Sequence, residues 1–277
     1  MKEVINLSKV NLNVFETPER LKKFNTLTKY PSIPTYHEIL NGKLQNNLTP
    51  GLDFSNQKIE VAEKVDGENL RLCFIKEVNK PVDYLIGSRE ELIYSRGDRI
   101  INNYGNMVNT TIDIAENIAQ ELMLSNGNYG VSCFYFEIYG GKTNKRKNYT
   151  NDPTIFGLRL FDHWYMNLED VFNMLDNNIE RISNWREHGG QPYSTTEERF
   201  EIAEKYMLAK VPYLATVDFI PDTLVETYEF LKQFATTQAG LNVDGESEGI
   251  VIRTTDRKQI AKIRFEDYRK TLKTLKI

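Results

Sequence analysis

The sequence predicts an α+β protein of largely antiparallel sheets flanked by helices. Two observations carry this. Apolar runs with strand-like alternation, such as "VSCFYFEIY" and "EGIVIRT", recur along the chain. Between them lie stretches whose apolar residues fall at helical spacing, in no regular strand–helix–strand order.

The elements follow in order. Up to about residue 55 the chain reads as irregular, because Pro31, Pro34 and Pro50 interrupt any long element. Strands begin at Ile59 and continue through "LRLCFI" and "VDYLIGSR". Ile114, Ala115, Ile118, Ala119 and Leu122 share one helical face and predict a helix over 111–124. Two strong strands come next, "VSCFYFEIY" and "FGLRLFDHW". Val171, Phe172, Leu175, Ile179 and Ile182 then repeat at helical spacing, and "TEERFEIAEKYML" and "TLVETYEFLKQFA" read as further helices. "EGIVIRT", "IAKIRFEDY" and a short basic tail close the chain. No repeat or low-complexity segment divides it, so residues 1–277 are expected to form a single domain, with 1–57 as an N-terminal extension.

With 40% hydrophobic and 27% charged residues, the composition is that of an ordinary globular protein. No apolar run reaches the ~18 residues a membrane span needs, and "MKEVINLSKV" lacks the apolar core of a signal peptide. A cytoplasmic monomer without a membrane partner is therefore expected. Cys73 and Cys133 lie inside apolar strands and read as buried reduced thiols. Three histidines and no CxxC argue against structural zinc. A net charge of −4 speaks against a nucleic-acid binder that uses its whole surface. Local grooves stay open, because "KTNKRK" and the C-terminal "KIRFEDYRKTLKTLK" concentrate cations.

Several strands carry polar residues that a core strand should exclude. In "VSCFYFEIY" both faces are apolar except for Glu137. A buried carboxylate costs several kcal/mol unless it is paired or bound, so a structural salt bridge and a functional site are both open. In "IAKIRFEDY" Ile260, Lys262 and Arg264 share one face, either to solvent or to an anion between the two cations. Glu248 stands directly before Gly249 and an apolar strand. In "EKVDGENLR", Lys64 and Asp66 share a face, Gly67 permits a turn or a close backbone approach, and Asn69 and Arg71 follow on alternate positions.

In this order and spacing, these clusters resemble the covalent nucleotidyltransferase superfamily of ATP-dependent ligases and mRNA capping enzymes. "KVDG" looks like its nucleophile motif, "FEIYGG" like the third motif, and "LRLFD" like the one that stacks the base; "SEGIVIR" and "KIR" look like the fourth and fifth. The resemblance covers residues 59–268. Asn69 stands where DNA ligases and capping enzymes usually carry arginine, and "KVDGENLR", "GSRE" and "EIYGG" together are similar to nick-sealing RNA ligases of the bacteriophage type. With the sequence running only to Ile277 behind Lys262, a full C-terminal OB-fold or RNA-binding domain is not expected.

The resemblance implies the nucleotidyltransferase fold of ligase adenylylation, ATP-grasp-like. It also implies an ATP-dependent RNA ligase for RNA repair, joining 3′-hydroxyl and 5′-phosphate ends, with a nicked duplex as one form of substrate. Lys64 would attack the α-phosphorus of ATP and carry AMP, and Mg²⁺ or Mn²⁺ would assist. A lysine amine attacks as the free base, a form that nearby cations favour. The implied nucleotide-binding residues are Glu63, Asp66, Gly67, Asn69, Arg89, Glu137, Phe161, Lys262 and Arg264. Within that set, Glu137 takes the ribose hydroxyls, Phe161 the adenine, and Lys262 and Arg264 the α-phosphate. Glu248 and Glu137 are the implied metal ligands. Arg71, Arg96 and Lys142 are the implied RNA contacts; Arg96 is also the alternative to Arg89, and Asp162 is open between metal site and turn cap. Rival readings are a DNA or mixed polynucleotide ligase and a catalytically silent nucleotide- or RNA-binding module of the same fold.

Overall fold

The computed structural model describes residues 12–102, 107–143 and 145–275. Two compact units divide the chain.

One unit draws on Met1–Pro31, Asn69–Phe136 and Asp162–Tyr193. It contains helix α1 (Pro18–Thr28), in the region that the sequence reads as irregular. Its start is fixed locally: Thr17 accepts the Arg20 backbone N–H at 3.0 Å, and Pro18 stands at the first helical position, where a missing N–H does no harm. A five-stranded sheet has the order β6-β5-β4-β7-β8, where β4 is Glu68–Lys76, β5 Asp83–Ser88, β6 Leu92–Ser95, β7 Gly130–Gly140 and β8 Phe156–Asn167. The residues of β7 and β8 are divided between the units at Phe136 and Phe161. Helix α2 (Met107–Leu124) contains the predicted helix. The stretch from Val171 to Ile182 is two helices, not one, α3 (Leu168–Leu175) and α4 (Ile179–Glu187). Asn178 separates them by capping α4, accepting the Arg181 N–H at 2.8 Å. Cys73 and Cys133 are free, buried thiols.

The other unit draws on Ser32–Glu68, Glu137–Phe161 and Ser194–Ile277. It opens with a hairpin, β1 (His37–Leu40) and β2 (Lys43–Leu48), turned by Asn41 and Gly42 at φ 52° and 71°. Asn-Gly is the usual two-residue hairpin signal, and it outranks the prolines nearby. A four-stranded antiparallel sheet has the order β11-β10-β3-β9, with β3 Ile59–Lys64, β9 Tyr213–Val217, β10 Gly249–Thr254 and β11 Ile260–Arg264. One face of it, with Val61, Ile250, Ile252, Ala261 and Ile263, packs into a core with residues of α6 (Leu224–Lys232) and α7 (Phe265–Leu275). Slipping any strand by one residue would expose that set, so the apolar face holds the register that aligns the polar one. Helix α5 (Thr196–Lys205) starts with a capping box between Thr195 and Glu198. The basic tail continues as α7, and residues 276–277 lie outside the described residues.

Candidate active site

The second face of the four-stranded sheet is polar in an ordered way. Across β3, β10 and β11 the register aligns Lys64 with Gly249 and Arg264, then Ala62 with Val251 and Lys262, then Glu60 with Arg253 and Ile260. Period-two alternation puts all nine on one face. Lys64 and Arg264 are two strands apart, about 10 Å by strand spacing, and Gly249 between them has no side chain to fill the gap. Lys262 follows one row along. The two cations of "KIR" therefore lie on the face that carries Lys64.

Lys64 donates to the carboxylate of Glu248, and the two form an ion pair. Both are partly exposed, at 24% and 18%. Arg264 reaches Glu248 loosely at 3.9 Å and is held by Asp267 at 2.8 Å. Burial holds the Glu248 carboxyl above its ordinary range, opposed by Lys64.

Glu137 contacts the motif turn directly. Its Oε1 accepts the Gly67 N–H at 3.0 Å. Burial pushes its carboxyl up to about 7, opposed by Lys64 and by the Gly67 amide and reinforced by the charges of Glu248 and Asp66. The turn itself is clamped, because the Asp66 N–H donates to the Tyr149 hydroxyl at 2.7 Å. The close approach explains Gly67: a Cβ there would lie 2.2 Å from the Ile138 carbonyl oxygen. Sequence reading allowed for a turn or a close approach; the structure shows the close approach.

Lys64 thus pairs with Glu248 and its charge is felt by Glu137, while the charge of Asp66 acts on both carboxylates. Among the described residues no three Asp, Glu, His or Cys side chains are close enough to hold a metal by themselves. Glu248 and Glu137 are the carboxylates of this site that could contribute to holding a cation.

Glu63 and Phe161 are placed by contacts that sequence reading missed. Glu63 is buried and turned away from the Lys64 face. It accepts from the Thr237 hydroxyl and, at 2.7 Å, from the Gln238 N–H, so it anchors that loop. Phe161 packs, partly buried, against the cluster of Ala62, Val65, Tyr139, Tyr149, Val211 and Ala239. Its carbonyl accepts from Arg199 at 3.3 Å and Arg253 at 3.1 Å. Both arginines also donate to Glu60, at 2.6 and 3.0 Å, and Thr196 completes that carboxylate at 2.6 Å. All three charged residues are buried. A carboxylate with two guanidiniums and a hydroxyl avoids the penalty of an unpaired buried charge. Despite its burial, the Arg253 and Arg199 charges hold the Glu60 carboxyl down to about 2.

Lys142 lies on the loop that leaves β7, beside the run that ends at Lys147; Asn144 within it is outside the described residues.

Asn69, Arg71, Arg89 and Arg96 belong to the other unit. Asn69 is half-buried, and its Oδ1 has no hydrogen-bond partner among the described residues. Arg71 corrects an expectation: it is 0% exposed and donates to Asn25, so it presents no guanidinium to RNA. Alternation pairs it with Asn69 on one face but does not say how deeply that face is packed. Arg96 is also engaged internally, by Glu116 at 2.8 Å, the Val82 carbonyl at 2.7 Å and the Tyr84 ring at 5.8 Å. Arg89 is 62% exposed, with a loose contact to Glu90 at 3.8 Å. Asp162 is buried and accepts from the Tyr30 hydroxyl at 2.8 Å.

Comparison with known proteins bears on the family and the fold. The RNA ligase family model matches residues 57–273. Two variants of Naegleria gruberi RNA ligase, each solved with ATP and manganese, are similar in fold. They share 16% identity at TM-scores of 0.52 and 0.51, over 90% and 88% of this chain and 62% of theirs. The same ligase with pyrophosphate matches at a TM-score of 0.51 and 16% identity, over 88% of this chain and 61% of that one. This chain therefore spans about 62% of the length of the solved relatives it matches. No curated protein matches it. The fold class expected from the sequence is the one observed.

Proposed function

This chain belongs to the RNA ligase family, and we propose on that premise that it joins RNA 3′-hydroxyl and 5′-phosphate ends with ATP. The observation that carries the reading is the face on which Lys64, Lys262 and Arg264 align with Glu248 at its edge. Solved relatives with ATP and manganese support the choice of nucleotide and ion.

Lys64 is the nucleophile. Its amine displaces pyrophosphate from the α-phosphorus, forming a P–N bond as the P–O bond to the β-phosphate breaks. Glu248 holds the ammonium in place beforehand. Lys262 and Arg264 supply positive charge at the α-phosphate, where negative charge gathers in the transition state. Glu137, with a carboxyl that titrates near neutrality, can both accept from and donate to the ribose hydroxyls. Phe161 stacks on the adenine, and Asp66 and Gly67 shape the turn. Asn69 and Arg89 serve the reacting ends. Mg²⁺ or Mn²⁺, when bound at Glu248, would neutralise phosphate oxygen charge. AMP then passes to the RNA 5′-phosphate, and the 3′-hydroxyl displaces it to close the phosphodiester.

The test is the intact mass after incubation with ATP and Mg²⁺. A gain of about 329 Da, one AMP as expected for covalent nucleophilic catalysis, should form and be absent in Lys64→Ala. No adduct from any nucleotide would overturn the enzyme reading in favour of a silent binding module. A nick with ribonucleotides at its 3′-hydroxyl should seal faster than an all-DNA nick; equal rates would favour a polynucleotide ligase.

A further inference from the structure

Beyond β7 the chain turns sharply through Gly140 and Gly141, at φ 77° and 51°. A Cβ at Gly141 would lie 1.9 Å from the Phe156 ring, so the turn demands glycine. The loop that follows curls into a 3₁₀ turn, Arg146–Asn148, and encloses a cleft of about 570 Å³. Lys142, Lys145, Arg146 and Lys147 line it with Thr143 and Asn148, and among the described residues no acidic side chain does. Arg146 is fixed by the Asn151 carbonyl at 3.0 Å. Glu246, which feels the charge of Lys145, is engaged by Arg269. Four like charges around one concavity repel one another, in a protein whose net charge is −4. A polyanion in the cleft would relieve this.

The cleft is joined rigidly to the nucleophile turn within its own unit. Tyr149, next to the lining residue Asn148, receives the Asp66 N–H on its hydroxyl. Its carbonyl accepts from Leu241, Asn242 and Val243 at 2.9, 3.1 and 3.2 Å. Gly245 donates to the Asn148 carbonyl at 2.9 Å. The cleft wall and the turn after Lys64 therefore form one hydrogen-bonded piece.

We infer that this cleft holds backbone phosphates of the RNA strand whose 5′ end receives AMP, a role that rests on the ligase reading above. It extends the expected contact at Lys142 to a built site of four cations, separate from the cations aligned with Lys64. Four cations in one concavity suit backbone phosphates, whose contacts position a strand and carry no sequence information.

The test measures binding of a short 5′-phosphorylated single-stranded RNA by fluorescence anisotropy, without ATP, over a range of salt. Lys145→Glu/Lys147→Glu should bind about tenfold more weakly at low salt. The slope of log affinity against log salt should fall by about 1.4, since each single-strand phosphate contact contributes about 0.7. Lys58→Glu/Lys258→Glu, with the same charge change elsewhere, is the control. Unchanged affinity and slope in the cleft variant would overturn the inference, as would an equal loss in the control. Self-adenylylation by ATP alone is followed in parallel. Its loss in the cleft variant assigns the cleft to ATP or to the fold, and overturns the inference. Its absence in the unaltered protein would instead remove the ligase reading, while the anisotropy result stands by itself.

Discussion

The ammonium of Lys64 is ion-paired with the carboxylate of Glu248, a residue 184 positions away in sequence. The antiparallel register of β3 with β10, which sets Lys64 against Gly249, creates the contact. The pair holds the amine at the end of β3 in one orientation before ATP arrives. The ammonium must then leave Glu248 and lose a proton to attack.

Glu248→Gln keeps the size of the side chain and removes its charge. Mutations that remove one preorganised electrostatic contact slow reactions about 10²–10³-fold, and self-adenylylation followed by intact mass should slow by about that factor. An unchanged rate would show that the pair belongs to the resting fold alone.

Gly67→Ala tests the close approach. Its Cβ would meet the Ile138 carbonyl at 2.2 Å, with the Tyr139 Cβ at 2.9 Å. Backbone cannot give way as a flexible side chain does, so strand and turn must separate and the bond from Gly67 to Glu137 is lost. Overpacking of this kind costs about 1–3 kcal/mol or more. The urea midpoint should fall accordingly and adenylylation should be largely lost; a variant with normal stability and activity would contradict the geometry.

Much of this site was legible because strands have a strict period of two. The alternation in "IAKIR" put Lys262 and Arg264 on one face, and burial follows it, with Ala261 and Ile263 buried and the other three residues half-buried. Glu137 stood out as a carboxylate in an apolar strand. Glu60 satisfies the same criterion in "IEVAEK", but its partners were hidden. Arg253 is 193 residues away and meets it only because β3 pairs with β10. Local pattern does not encode which distant strands become neighbours. Arg71 failed for a related reason: periodicity identifies a face, and packing decides what covers it. The N-terminal hairpin was readable in Asn41-Gly42, and the prolines around it drew the weight instead.

The Glu60 cluster gives a pH signature. Its carboxyl lies at about 2 in the fold, against an ordinary 4.5. A depressed carboxyl contributes stability that is present above pH ~4.5 and lost as pH falls through ~2. The shift corresponds to about 3 kcal/mol at full effect. Glu60→Gln should be less stable than the unaltered protein at pH 7, and the gap should narrow steadily from pH ~4.5 downward. Urea midpoints measured across that window decide it; a gap that is constant with pH would mean that the arginines do not act on Glu60 as charges.

Phe161 tests the nucleotide side of the site. Its backbone carbonyl is tied to Arg199 and Arg253, which are themselves pinned by Glu60, so the strand at Phe161 is held in place. The side chain packs against the buried cluster that contains Ala62, which lies in the row next to Lys64, together with Tyr139 and Tyr149. Stacking of a base on an aromatic ring contributes about 1–3 kcal/mol, and Phe161→Leu keeps apolar volume while removing the stacking surface. The ATP concentration for half-maximal self-adenylylation should rise about tenfold, within that range. The rate at saturating ATP should change much less, because Lys64, Glu248 and the cations stay in place. Thermal stability separates this from a packing defect, since leucine fills most of the same space among the partly buried neighbours. An unaltered ATP requirement would leave Phe161 as a core residue and move the adenine elsewhere.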